Sequence, residues 1–174
     1  MANPARVSAV WDRADLKVAG GYFAYFAAVG ALMPYVALYF RGMGFSGLQV
    51  GVLTALPSVG LAVFAPLWGA VADAMGVHRL LMRGALGLAI AVAFLTTQAS
   101  TFMSMLLLFG LLAFVSVPVA PLMDSYGVTA SEHTRRSYGG IRVWGSIGYM
   151  VSVLIVGWLM GDETSSLLLV AHAA

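Results

Sequence analysis

Pro118-Val-Ala-Pro-Leu-Met-Asp124, a polar stretch, and then Tyr138-Gly-Gly-Ile-Arg142-Val-Trp-Gly-Ser-Ile-Gly-Tyr149 set an acid and a base each against a long apolar run. The polar stretch centres on His133, with Asp124 and Arg142 nine residues to either side. A chain that turns back there as a helical hairpin brings both side chains to similar depth on neighbouring helices. An ionisable group at membrane depth costs about 2.5–3.5 kcal/mol at a helix centre on insertion scales, and such groups pair or line a water-filled path. The stretch therefore reads as a candidate ion-pair site in a membrane protein.

The composition agrees with that class. The chain has 174 residues, 61% of them hydrophobic and 9% charged, with a mean hydropathy of +0.92. Soluble domains carry about 25% charge. A spanning helix needs about 20 apolar residues, so this length allows at most about six spans with short loops. A net charge of +2 is too small to argue for nucleic acid, and the basic residues sit at span ends instead of in a patch. The chain has no cysteine, which excludes thiol nucleophiles, disulfides and Cys-ligated metals. His78, His133 and His172 share no ligand spacing, so no metal site is expected. No Ser/His/Asp set falls on one side of the membrane, so no catalytic residue is assigned and the chain is not read as an enzyme.

Residues 1–17 are polar and mixed in charge and form an N-terminal segment too charged to insert. The apolar stretch over 18–40 is longer than the roughly 7–15 residues of a signal-peptide core and is expected to be an uncleaved first span. It carries Tyr22, Tyr25, Tyr35, Tyr39 and Pro34. Tyr35 and Tyr39 suit an interfacial belt, and Tyr22 and Tyr25 suit either the opposite belt or a cavity. Further spans are expected at about 48–72, 80–97, 102–123 and 138–160, with residues 125–137 as a polar loop. Ser46 is a plausible cap for the second span, which contains Pro57 and Pro66. A sixth apolar stretch, 165–174, stops at about half the length needed to cross, which argues for a fragment.

Counting Lys and Arg by side orients the bundle. With the N-terminus in the cytoplasm, Arg6, Arg13, Lys17, Arg79, Arg83, Arg135, Arg136 and Arg142 lie inside and only Arg41 lies outside, eight against one of the nine. The Asp73–Arg79 connector and the Asp124/Arg142 hairpin then both face the cytoplasm.

That connector, Gly69-Ala-Val-Ala-Asp73-Ala-Met-Gly76-Val-His78-Arg79, resembles the signature loop of the major facilitator superfamily, G-x-x-x-D-R/K-x-G-R-R/K. Gly69, Asp73 and Gly76 match in place, and His78 and Arg79 keep part of the basic end. Ala74 and Val77 stand where basic residues are usual. Gly69 is expected to allow close helix contact, Gly76 a tight turn, and Asp73 an ion pair with a basic partner. Asp124, Arg135-Arg136-Ser137 and the run from Tyr138 to Tyr149 are similar to the lactose-permease and phenylpropionate-permease-like proton symporters. So is the hairpin from Met33-Pro34-Tyr35 to Leu48-Gln49-Val50-Gly51. The resemblance covers about residues 20 to 165 and corresponds to the N-terminal half of a twelve-helix carrier. Val151–Gly161 contains no proline, so the glycine–proline signature of drug antiporters is missing.

The resemblance implies an all-α polytopic membrane protein, with residues 18–174 as the N-terminal six-helix transporter bundle. It would have five complete spans and a truncated sixth, in the plasma (inner) membrane. It implies proton-coupled symport of a small organic solute by alternating access, with the proton gradient as coupling ion and no bound cofactor. Asp124 and Arg142 occupy the positions of a sugar-binding acid and arginine, Tyr149 that of a stacking aromatic, and Tyr25 joins them if it faces the cavity. The expected partners are a sugar, nucleoside or aromatic acid, the lipid bilayer and a missing C-terminal six-helix half. Two plainer readings stand beside this. The ion pair could simply pin two helices, and the chain could be a non-transporting, partner-binding bundle or a remnant half-carrier.

Overall fold

The computed structural model describes residues 13–134 and 137–160. The expected partial sixth span (165–174) and residues 1–12 of the N-terminal segment lie outside the described residues. Within them the chain forms seven helices: α1 (Arg13–Leu32), α2 (Val36–Gly42), α3 (Gly47–Met75), α4 (His78–Thr96), α5 (Phe102–Ser116), α6 (Val119–Thr134) and α7 (Tyr138–Met160). α1 begins inside the charged segment expected to lie outside the bundle, because nothing between Arg13 and Lys17 breaks a helix.

Local chemistry sets the helix ends. Ser46 caps α3 in a reciprocal box, its Oγ accepting from the Gln49 N–H at 3.4 Å while Gln49 Oε1 accepts from the Ser46 N–H at 2.9 Å. Thr101 and Ser104 form the same box at the start of α5. Gly76 closes α3 at φ +62°, the left-handed conformation that glycine adopts without a Cβ penalty.

Prolines cut two of the expected spans into pairs of helices. α1 and α2 meet at the turn Met33-Pro34-Tyr35, and α5 and α6 meet at Val117-Pro118. Proline lacks the N–H that continues the ladder, and its ring crowds the carbonyl four residues back. Pro57 and Pro66 stay inside a continuous α3. Four stretches are long and apolar enough to cross a membrane: Leu16–Gly42, Gly47–Ala74, Phe102–Thr129 and Tyr138–Met160. The apolar part of α4, Leu80–Thr96, is shorter.

The polar stretch after Asp124 is not a loop. α6 continues to Thr134, so Asp124 sits inside a helix instead of at its end. Polar side chains there bond back onto their own helix: Thr129 Oγ1 donates to the Ser125 carbonyl at 3.0 Å and Ser131 Oγ to the Val128 carbonyl at 2.7 Å.

α1 packs most extensively against α7. A Cβ on Gly148 would collide with the Phe23 carbonyl, and one on Gly30 would lie 2.6 Å from the Tyr149 carbonyl. Backbones approach this closely only where side chains are absent, which is the usual basis of helix association in lipid. Tyr35 is turned into the same contact and donates to the Val153 carbonyl at 2.8 Å. One core gathers Tyr22, Val119, Met123 and Ile141. A second gathers Phe40, Leu53, Met105 and Phe109, with Phe40 and Phe109 edge to face at 5.3 Å. The first core positions the candidate site.

Candidate functional site

Three helices converge on Asp124. α6 carries the carboxylate, α1 brings Tyr22, and α7 brings Tyr138 and Arg142, which lie one turn apart on one face. Asp124 Oδ1 accepts from the Tyr138 hydroxyl at 2.7 Å and lies 2.8 Å from the Tyr22 hydroxyl. The Nε of Arg142 stands 3.3 Å from the same oxygen. Tyr22 is fully buried, whereas the Asp124 and Arg142 side chains are 41% and 37% exposed. The site is therefore walled by aromatic rings on the α1 side and open on the other.

Arg142 lies over those rings, its Cζ 4.8 Å from the centroid of Phe26 and 5.7 Å from that of Tyr22. The ring faces attract the cation and hold it in place. Tyr22 and Phe26 stack one turn apart on α1, with centroids 6.3 Å apart. Gly145 makes room for Phe26: a Cβ there would fall 2.7 Å from its ring. Gly127 makes room for the tyrosines, since its Cβ would lie 2.7 Å from the Tyr22 hydroxyl and 3.0 Å from the Tyr138 ring.

Among the described residues the Arg142 guanidinium donates no hydrogen bond, although it is ion-paired. Its planar set of N–H donors matches a carboxylate or a pair of hydroxyls. Asp124 Oδ2 likewise accepts nothing among the described residues, so the open side offers a cationic donor group next to an acceptor oxygen.

The structure brings Asp124 and Arg142 together but not all the residues expected beside them. Tyr25 is packed edge-on against Phe26 at 5.2 Å and reaches neither charge. Tyr149 lies about two turns beyond Arg142 on α7 and is 38% exposed. Tyr138 and Phe26 are participants that the sequence does not single out, although Tyr138 lies four residues before Arg142. Of the two tyrosines suited to a belt or a cavity, Tyr22 is the one turned into the site.

The connector motif is assembled in part as expected: Gly76 makes the turn, and Asp73 Oδ1 lies 3.1 Å from His78 Nε2, its basic partner, in an exposed position. A Cβ on Gly69 would meet nothing, so the close helix contact expected there is not made among the described residues. α3 shows its apolar face at that level, with Leu67 and Val71 exposed. The side chain of Arg79 lies outside the described residues. Among the described residues no group of three or more His, Asp or Glu side chains comes together.

Comparison with known proteins identifies the family. Residues 16–172 match the MFS_1 like family. The chain is 34% identical over 139 residues to a maltose permease of Geobacillus stearothermophilus, covering 79% of this chain and 35% of that one. It is 29% identical over 144 residues to a probable 3-phenylpropionic acid transporter of Escherichia coli K12, covering 80% and 37%. The structure of nucleoside transporter NupG superposes with a TM-score of 0.79 at 21% identity, covering 93% of this chain and 41% of that one, which shows a shared fold. The chain thus spans little more than a third of the length of these curated relatives, and they are transporters, not enzymes. With its apolar helices and this match along most of its length, the chain belongs to the MFS_1 like family and so to the major facilitator superfamily of membrane transport proteins.

Proposed function

We propose that this chain is the N-terminal six-helix half of a proton-coupled symporter for a small organic solute. The observation that carries the reading is the open side of the Asp124–Arg142 pair, where unspent guanidinium N–H groups stand beside an unspent carboxylate oxygen. Groups left open in this way among the described residues are available to a ligand's carboxylate or hydroxyls. In the empty site Asp124 holds Arg142, and an incoming substrate exchanges for part of that pairing. Facilitator-type carriers place substrate between two six-helix halves and rock one half against the other. Half of the cavity would therefore come from a C-terminal bundle, and the lipid-facing apolar surface of α3, α4 and α7 would sit in the inner membrane.

The charge distribution supports a cytoplasmic N-terminus, with eight of nine Lys and Arg residues on one side. The relatives set the candidate substrates: maltose, 3-phenylpropionate and nucleosides are the solutes in their names. The pH gradient is the proposed driving force and Asp124 the proposed proton-binding group, with no further cofactor. The connector residues Gly69, Asp73, Gly76 and Arg79 are proposed to form part of the cytoplasmic gate, and Tyr149 and Tyr25 to flank the substrate.

The test is uptake of these solutes by the full-length protein in proteoliposomes with an imposed inward proton gradient. Uptake that collapses on adding a protonophore and in both Asp124→Asn and Arg142→Ala supports the reading. Uptake unaffected by either substitution would return the pair to the role of a helix pin in a partner-binding bundle.

A further inference from the structure

The Tyr22 hydroxyl has more acceptors than protons. It stands 2.9 Å from the Met123 carbonyl oxygen and 2.8 Å from Asp124 Oδ1, two acceptors on consecutive residues of α6. A phenol carries one O–H proton and can also accept, so at any moment it donates to one of the two. The position is sealed: Tyr22 is 0% and Met123 8% exposed. No water reaches the hydroxyl to make up a missing partner, and a buried polar atom left unpaired is costly.

Tyr138 differs. Its hydroxyl donates to Asp124 Oδ1 at 2.7 Å, and its other side-chain hydrogen-bond neighbour is the Tyr22 hydroxyl. Unlike Tyr22, it has no backbone-carbonyl acceptor among the described residues. The other group facing Asp124 from α7 is Arg142, and Tyr22 is the titratable group facing it from α1. From α4, which also touches α6, the charged residues are His78, which pairs with Asp73, and Arg83, which is exposed; the side chain of Arg79 lies outside the described residues.

We propose that Tyr22 is a hydrogen-bond exchange residue that lets Asp124 take up and release a proton while the buried Tyr22 hydroxyl keeps an acceptor throughout. With Asp124 charged, Tyr22 donates to Oδ1. A hydronium ion on the open side gives its proton to Oδ2, leaving water, and a half-turn of the carboxyl about Cβ–Cγ brings the new O–H to the Tyr22 oxygen. The Tyr22 O–H then rotates about its C–O bond and donates to the Met123 carbonyl. One O–H bond forms, on Asp124, and one breaks, on hydronium. None breaks on tyrosine, and the net change is one proton bound. Gly127 fits this role, because a Cβ there would occupy the space in which the hydroxyl sits. The proposal deepens the reading of Asp124 as the proton-binding group, and its test does not require transport.

Isotope-edited infrared difference spectroscopy reads both ends of the exchange. The full-length protein is labelled with carbonyl-13C methionine, and acid-minus-base spectra are recorded for wild type, Asp124→Asn, Tyr22→Phe and Tyr138→Phe. In wild type the Asp124 carboxyl band grows on acidification, and in step the Met123 carbonyl band moves to lower frequency as it gains the Tyr22 proton. The Met123 shift is absent in Asp124→Asn and Tyr22→Phe and kept in Tyr138→Phe. A carboxyl that titrates with no Met123 shift, a shift that survives in Tyr22→Phe, or a carboxyl that never titrates would each overturn the exchange. If the exchange is seen while Asp124→Asn transports normally, the symport reading fails and the exchange stands. The reverse pattern removes the exchange and leaves the symport reading.

Discussion

Tyr22 of α1 and Asp124 of α6 stand 2.8 Å apart, although 102 residues separate them in the chain. The contact makes the ion pair a three-helix object. Asp124 and Arg142 join α6 to α7, and Tyr22 fastens α1 to both through a carboxylate oxygen that Tyr138 also holds. The same helices pack backbone to backbone at Gly30 and Gly148. The rigid contact and the polar site thus share one interface, and the predictions below separate them.

Gly148→Ala should be among the most damaging single-methyl additions in the chain. Its Cβ would collide with the Phe23 backbone, which cannot yield as a side-chain end can. Overpacking of this kind costs about 1–3 kcal/mol. Gly87→Ala on α4 meets nothing within 4 Å and should cost nothing. Thermal unfolding of the two variants of the full-length protein in one detergent checks the contrast.

Gly127→Ala should act on the site more than on the fold. The added methyl displaces the Tyr22 hydroxyl and presses the Tyr138 ring, the two donors to Asp124. The expected result is uptake lowered to near the level of Asp124→Asn with a modest fall in melting temperature. Uptake at the wild-type level would show that the tyrosines can move aside without consequence.

Arg142→Ala should cost little stability. The two side chains are more than a third exposed, and ion pairs in such settings contribute about 0–1 kcal/mol after screening. Losing the cation over Phe26 adds about 0.5–1 kcal/mol. Asp124 keeps both phenol neighbours, so no charge is left without hydrogen bonds. A melting temperature close to wild type, alongside lost uptake, is the expected pair of results.

Tyr35→Phe should weaken the hold of α7 on the Pro34 turn. The hydroxyl donates to the Val153 carbonyl, which already accepts within its own helix, so the loss falls at the low end of the ordinary hydrogen-bond range of about 0.5–1.5 kcal/mol. Hydrogen exchange at Leu32–Val36 should quicken in this variant while exchange around Asp124 stays unchanged.

Much of this arrangement was legible in the sequence. Long uncharged runs give the membrane class, and an acid and a base each set against an apolar run mark Asp124 and Arg142. His133 lies within α6 and the chain turns only after Thr134, so the even spacing about it is not what brings the two together. The helix through Thr134 was not legible, because serine and threonine there look like loop residues until their bonds to helix carbonyls are seen. The breaks at Pro34 and Pro118 were hidden for another reason. Proline splits those two stretches and is absorbed at Pro57 and Pro66, and the sequence around the four prolines does not distinguish the two outcomes. Tyr22 was the hardest to find. A tyrosine on an apolar helix suits a belt equally well, and only the packing of α1 on α7 selects it over Tyr25.

The most direct test of whether Asp124 and Arg142 act as one unit is a double-mutant cycle on gradient-driven uptake by the full-length protein. It uses whichever of maltose, 3-phenylpropionate or a nucleoside the wild type accumulates. Each of Asp124→Asn and Arg142→Ala should lower uptake by about tenfold or more, and the double variant should fall no further than the worse single one. Losses that multiply in the double variant, or a single variant that transports like wild type, would contradict the account.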